Sequence, residues 1–161
     1  MLFPVVYHNM NKRQIVVILD NIRSRENVGS IFRTADAAGV SRIYLCGITP
    51  QPPHEKISKT ALGAETVVPW EYAKQTWRLL EKLKKEDYRI IALEKTNGAK
   101  DLFRTKREQK PVALVLGNEV DGLTPQVLKR SDLVVSIPMR GQKESLNVAV
   151  AFGIAIYQLS L

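Results

Sequence analysis

The feature that most constrains the fold is a recurrence of short, apolar, β-rich runs at residues 15–19, 42–46, 66–69, 89–93, 112–116 and 133–138, with helical periodicity between several of them. Runs of this length and composition read as buried strands. Their alternation with helices argues for an α/β domain with a mostly parallel sheet flanked by helices. No linker or internal repeat interrupts the pattern, so residues 1–161 are expected to form a single domain. A domain of this size buries roughly 70% of its unfolded surface, enough for one ordinary core.

The helices have local grounds. Over residues 27–38, Val28, Ile31, Phe32 and Ala35 fall at i, i+3, i+4 and i+7, with Asn27 placed to cap the start and Gly39 to end it. Over residues 72–87, Ala73, Thr76, Trp77, Leu80 and Leu83 form a stripe opposite Lys74, Arg78, Lys82 and Lys85, which read as a solvated face. Thr124-Pro125 opens a helix through Arg130 as a cap followed by proline. The last helix is expected to start at Ser145, capped by that residue. It is apolar nearly all round from Val148 to Leu161, so it needs cover from the sheet and from a partner subunit. A homodimer is expected.

The charge balance narrows the partner. Lys and Arg total 24 against 16 Asp and Glu, a net charge of +8, which favours an anionic partner such as nucleic acid or a membrane surface. Residues 148–157 are too short to span a bilayer and residues 1–14 lack the apolar core of a signal peptide, so a cytoplasmic location and no membrane partner are expected. Cys46 lies in an apolar run and reads as a buried structural thiol. His8 and His54 have no cysteine cluster to suggest zinc, and neither a G-x-S-x-G serine nor a paired carboxylate motif stands out. No metal is expected, and His54 reads as an exposed loop residue.

Three segments could carry chemistry. Residues 21–33 follow a strand and place three arginines and two asparagines around a helix start. Gly29 and Arg33, four apart, share a helix face turned from the apolar stripe, where backbone could be approached closely beside a guanidinium, as a phosphate or ribose requires. The plainer reading makes Arg33 a solvent-exposed helix residue and Asn27 only a cap. Residues 116–123, Leu-Gly-Asn-Glu-Val-Asp-Gly-Leu, lie at the carboxyl end of a strand, where open α/β sheets bind ligands, though an ordinary turn explains them too. They form neither a Walker loop nor a G-x-G-x-x-G. Residues 137–148 give a strand end, a polar loop and a helix start, with Asn147 two residues into an otherwise apolar helix, where its amide can both donate and accept.

In this order and spacing the segments resemble the three motifs of the SpoU (TrmH-like) family of RNA 2′-O-ribose methyltransferases, within the SPOUT superfamily. Asn27-x-Gly29-x-x-x-Arg33-Thr34-Ala35 is similar to the first, Leu116-Gly117-Asn118-Glu119-x-x-Gly122-Leu123 to the second, and Ile137-Pro138-Met139 through Ser145-Leu146-Asn147-Val148 to the third. With residues 59–65 the likeness extends over nearly the whole chain. It implies a C-terminal deep trefoil knot, a SPOUT fold that periodicity does not reveal. It also implies an S-adenosylmethionine site at Leu93, Leu116, Gly117, Ile137, Met139 and Leu146, and a ribose in tRNA or rRNA as methyl acceptor.

The resemblance carries Asn27, Arg33, Glu119, Ser145 and Asn147 over as catalytic positions, in a homodimer whose Arg33 can serve the other subunit's pocket. Arginine as general base, the role proposed in the family, conflicts with a guanidinium that stays protonated at neutral pH. As a hypothesis, Arg33 instead holds the neighbouring phosphate and stabilises alkoxide charge, with the proton going to phosphate or water. No separate RNA-binding domain is expected, so the basic surface itself must grip RNA in a salt-dependent way. The alternative is a catalytically inactive RNA-binding dimer of the same fold. The presence of all five polar motif residues favours the enzyme.

Overall fold

The computed structural model describes residues 13–161. His8 and most of the 1–14 lead-in lie outside the described residues.

Seven strands form one sheet: β1 (Ile15–Asp20), β2 (Arg42–Cys46), β3 (Trp70–Ala73), β4 (Arg89–Leu93), β5 (Lys100–Asp101), β6 (Val112–Gly117) and β7 (Leu133–Ser136). They run in the order β3-β2-β1-β6-β4-β7-β5, and every pairing is parallel. The expected α/β architecture is therefore present. All six residues of β1 are buried because the strand is covered on both faces. Ile15, Val17 and Leu19 pack towards α1 (Arg25–Ala38), α2 (Glu55–Ala61) and α5 (Val148–Ser160). Val16 and Ile18 pack towards α3 (Thr76–Lys85) and α4 (Pro125–Leu128). Cys46 is fully buried, as its apolar run suggests.

Several expected boundaries move. Residues 66–69 are not a strand: a 3-10 turn, Ala64–Thr66, occupies the start, and the edge strand follows at Trp70–Ala73, where Tyr72 and Ala73 were expected to be helical. Pro69 lacks the N–H that a strand would donate, and Gln75 caps α3 at Thr76, so strand and helix each begin later. The cap of α1 is Ser24, whose Oγ accepts from the Asn27 N–H at 3.1 Å, and Asn27 is not the cap. Gly39 ends that helix at φ 69°, as expected. The last helix starts at Val148 rather than Ser145. Asn147 is its cap, accepting from the N–H groups of Ala149 at 2.9 Å and Val150 at 3.4 Å, and it outcompetes Ser145 because an asparagine carbonyl satisfies two orphan donors at once. α4 stops at Leu128, short of Arg130. His54 is half-buried rather than an open loop residue: its Nδ1 caps α2 by accepting from Lys56 N–H at 3.1 Å.

Gly29 also departs from expectation. A Cβ there would sit 2.0 Å from Thr60 Oγ1 and 2.3 Å from the Ile57 carbonyl oxygen, so this glycine exists to let α2 lie on α1 and does not face a ligand. Arg33, one turn on, is exposed.

Candidate active site

The three motif segments converge at the carboxyl ends of β4, β6 and β7. The end of β4 and the second and third segments line a cavity of about 270 Å³ that includes Leu93, Leu116, Gly117, Ile137, Met139 and Leu146, the six positions expected for the cofactor, while the first segment reaches it only through Asn27. Ligand clefts begin near roughly 300 Å³, so this one is of a size for a single small molecule.

Polar residues from all three segments meet at its rim. Asn27 Nδ2 donates to Glu119 Oε1 at 2.6 Å, and Asn147 Nδ2 donates to Asn27 Oδ1 at 3.1 Å. Since Asn147 Oδ1 accepts from the first turn of α5, the two amides form a directional chain from a helix N-terminus to a carboxylate. Each amide keeps a second N–H, and Glu119 a second oxygen, outside this chain. Ser145 lines the cavity as an exposed residue. Arg33 does not join them. It lines a separate hollow with Ser30, Thr34, Lys59, Thr60 and Tyr157, because six residues of helix carry it about 9 Å along and onto another face from Asn27.

Asn147 thus has two duties that substitution separates. Asn147→Ala is expected to lower unfolding stability by about 1 kcal/mol through loss of the cap. Asn147→Asp keeps the cap, should unfold in urea close to the wild type, and loses only the donation to Asn27.

Two further residues shape the cavity, Asn118 of the second motif and Glu94, which was not anticipated. Glu94 Oε2 accepts from Leu123 N–H at 2.7 Å, and its Oε1 accepts from Lys95 N–H at 3.0 Å. Asn118, buried, accepts through Oδ1 from Val120 and Asp121 at 3.0 and 2.8 Å, while Gly122 N–H donates to its carbonyl at 3.0 Å. Together they pin residues 118–123 as a fixed wall. A carboxylate directly after the apolar run 89–93, at a strand's carboxyl end, was the available signal for Glu94.

Behind the site, Asp20 ends β1 buried beside Cys46, accepting a hydrogen bond from the Thr76 hydroxyl. Burial raises the Asp20 pKa above the usual carboxyl range, with the Thr76 hydrogen bond opposing, and pushes the Cys46 thiol up to about 12. A thiolate role for Cys46 at neutral pH is thereby excluded. Below the ordinary carboxyl pKa the folded and unfolded chains both hold the Asp20 proton. As pH rises the unfolded chain releases it first, so stability falls until pH passes the raised folded value and stays at the lower level above it. Asp20→Asn keeps the acceptor for Thr76 and is expected to raise the melting temperature at pH 7, with no gain near pH 3, in a thermal scan against pH.

The model of the SpoU rRNA Methylase family matches residues 14–157. The chain belongs to the SpoU rRNA methylase family. The 23S rRNA (guanosine-2′-O-)-methyltransferase RlmB of Neisseria meningitidis serogroup B is 34% identical over 94% of this chain and 60% of its own length. The tRNA (guanosine(18)-2′-O)-methyltransferase of Aquifex aeolicus is 33% identical over 92% of this chain and 71% of its own length. The AdoMet-bound rRNA methyltransferase of Sinorhizobium meliloti superposes with a TM-score of 0.85 at 30% identity, covering 92% of this chain and 56% of that one. This SpoU chain spans about three fifths of the length of the first curated relatives it matches. Among the described residues of this SpoU chain, no helix is long and apolar enough to cross a membrane and no group of three or more His, Cys, Asp and Glu could hold a metal ion.

Proposed function

We propose that this chain transfers a methyl group from S-adenosylmethionine to a ribose 2′-hydroxyl of tRNA or rRNA in the cytoplasm. The observation that carries this reading is a cavity lined by the second and third motif segments, to which the first is tied by Asn27, linked side chain to side chain with Glu119 and Asn147. The 2′-O-methyltransferase relatives and the AdoMet-bound relative support it.

The residues fit the cofactor. Leu93, Leu116, Ile137, Met139 and Leu146 offer an apolar lining for an adenine ring. At Gly117 a Cβ would meet the backbone of Gly122 at 2.7 Å, so the absence of a side chain is what lets the two walls close. When bound, S-adenosylmethionine supplies a methyl group on a positively charged sulfur. The chain's own task is orientation, because the 2′-oxygen must approach in line while losing its proton. In this reading Asn27, Glu119, Ser145 and Asn147 hold the ribose. The Arg33 fork holds the adjoining phosphate and stabilises charge developing on the oxygen, and the proton passes to a phosphate oxygen or water.

Two copies are needed for this. α5 exposes Val150 and Tyr157, at i and i+7, with Leu161 exposed just beyond its end, and Tyr157 borders the hollow that holds Arg33. A homodimer closed on that apolar stripe carries Arg33 towards the partner's cavity. A deep trefoil knot in the C-terminal segment belongs to the same reading, supported by the strand order β6-β4-β7 and by the return of α5 onto α1 and β6. The test is to incubate the protein with methyl-labelled S-adenosylmethionine and total RNA, then digest in alkali. Label is expected in alkali-resistant dinucleotides, since a methylated 2′-oxygen cannot attack the neighbouring phosphate. Label in free bases, or none, overturns the proposal.

A further inference from the structure

Of the cations that the sequence places on one solvated face, Lys74, just ahead of α3, and Arg78 and Lys82 within it are exposed and line a second hollow, whereas Lys85 does not. It has a volume of about 330 Å³ and lies at the β3 edge of the sheet, lined by Tyr44, Tyr72, Lys74, Arg78 and Lys82 among others. Tyr72 is 46% exposed there. The one carboxylate in the lining, Glu71, is already engaged by Arg42. Among the described residues Lys74, Arg78 and Lys82 pair with no carboxylate, so the hollow keeps all three charges. The Arg78 guanidinium lies 5.1 Å from the centroid of the Trp77 ring, a cation–π contact that presets its orientation. Arg78 and Lys82 stand about 6 Å apart along α3, with Lys74 just ahead of the helix. Three unneutralised cations beside an exposed aromatic face combine the two elements that hold single-stranded nucleic acid: charge for phosphates and a ring for a base.

The hollow and the cofactor cavity share one end of the sheet. Ala73 pairs with Cys46, Cys46 with Asp20, and Asp20 with Gly117, so the end of β3 and the end of β6 lie in a single row three strands apart. At a strand spacing of about 4.8 Å that is roughly 14 Å, a distance a few nucleotides can bridge.

We propose that the β3–α3 edge is a second RNA contact, which takes a single-stranded stretch flanking the methylated nucleotide, with phosphates on Lys74, Arg78 and Lys82 and one base stacked on Tyr72. The proposal rests on the reading of the chain as an RNA methyltransferase. It adds a substrate-gripping surface away from the three motif segments.

The test uses the full chain and fluorescence anisotropy of a labelled oligouridylate across a salt series, with methyl transfer to bulk tRNA and S-adenosylmethionine binding measured alongside. The variants are K74A/R78A/K82A, Tyr72→Ala, Tyr72→Phe and a charge-matched control at exposed positions, K100A/K106A/K129A. The first is expected to weaken RNA binding at least about tenfold and to lower the slope of log K against log salt by about 2, since each single-strand phosphate contact contributes roughly 0.7. Tyr72→Ala is expected to weaken binding about tenfold, and Tyr72→Phe, which keeps the ring, to bind as wild type. S-adenosylmethionine affinity and turnover at saturating tRNA should stay unchanged.

Equal losses in the control, or unchanged affinity and salt slope in the first variant, overturn the proposal. So does polyglutamate competing as well as RNA with no dependence on Tyr72, which assigns the edge to an acidic protein. If the wild type binds RNA through this edge yet transfers no methyl group, the second contact stands and the methyltransferase reading fails. If methyl transfer proceeds and the edge variants bind as wild type, the reverse holds.

Discussion

Arg33→Ala is expected to cut methyl transfer at saturating RNA and S-adenosylmethionine by about a hundred- to a thousandfold, the scale on which losing one aligned donor to a developing oxyanion is felt. It should leave unfolding stability within about 0.5 kcal/mol, because Arg33 is exposed and forms no ion pair among the described residues. A stable protein with a dead site is the signature of a residue kept for chemistry rather than packing. Arg33→Lys should recover little, since lysine keeps the charge but loses the planar fork that can engage a phosphate with two parallel hydrogen bonds. Single-turnover methyl transfer together with urea unfolding of the same preparations checks both halves. Full turnover by the lysine variant would exclude positioning by the fork.

The second large effect is expected at Gly117. A Cβ there would lie 2.7 Å from the Gly122 carbonyl carbon, 2.8 Å from its oxygen and 2.9 Å from Leu123 N, and all three are backbone atoms. That loop cannot drift aside freely, because Glu94 and Asn118 pin it from both ends. Gly117→Ala must therefore push the wall out of place. Overpacking of this kind costs about 1–3 kcal/mol, and S-adenosylmethionine affinity measured by titration calorimetry should fall by about ten- to a hundredfold. Gly141→Ala is the matched control, since nothing lies within 4 Å of a Cβ at that position. Unaltered cofactor affinity in Gly117→Ala would mean that the cofactor binds elsewhere.

What the sequence makes legible follows from where the physics is local. The strands at 42–46 and 89–93 coincide with β2 and β4 because buried parallel strands are continuous apolar runs, visible one residue at a time. β3 is displaced and β5 was not anticipated, because edge strands, one of them only two residues long, have little apolar signal. Caps were harder. Ser24, Asn27, Ser145 and Asn147 can all cap, and only the competition between neighbours decides that Ser24 and Asn147 do so. That competition also frees the side chain of Asn27 for Glu119. The six lining positions came from family likeness, which no periodicity replaces. Gly29 misled because a glycine that admits a ligand and one that admits a neighbouring helix look the same in one dimension.

Arg33 lines a hollow apart from the cavity of its own chain, and in the proposed homodimer one copy completes the site of another. Mixing two inactive proteins, Arg33→Ala and Glu119→Ala, and allowing their subunits to exchange tests this directly. In a symmetric dimer half of the re-formed pairs are mixed, and each mixed pair has one site with both residues intact. Methyl transfer is predicted to rise to about one quarter of the wild-type rate. Activity that stays at the level of the two parents would contradict a site shared between chains.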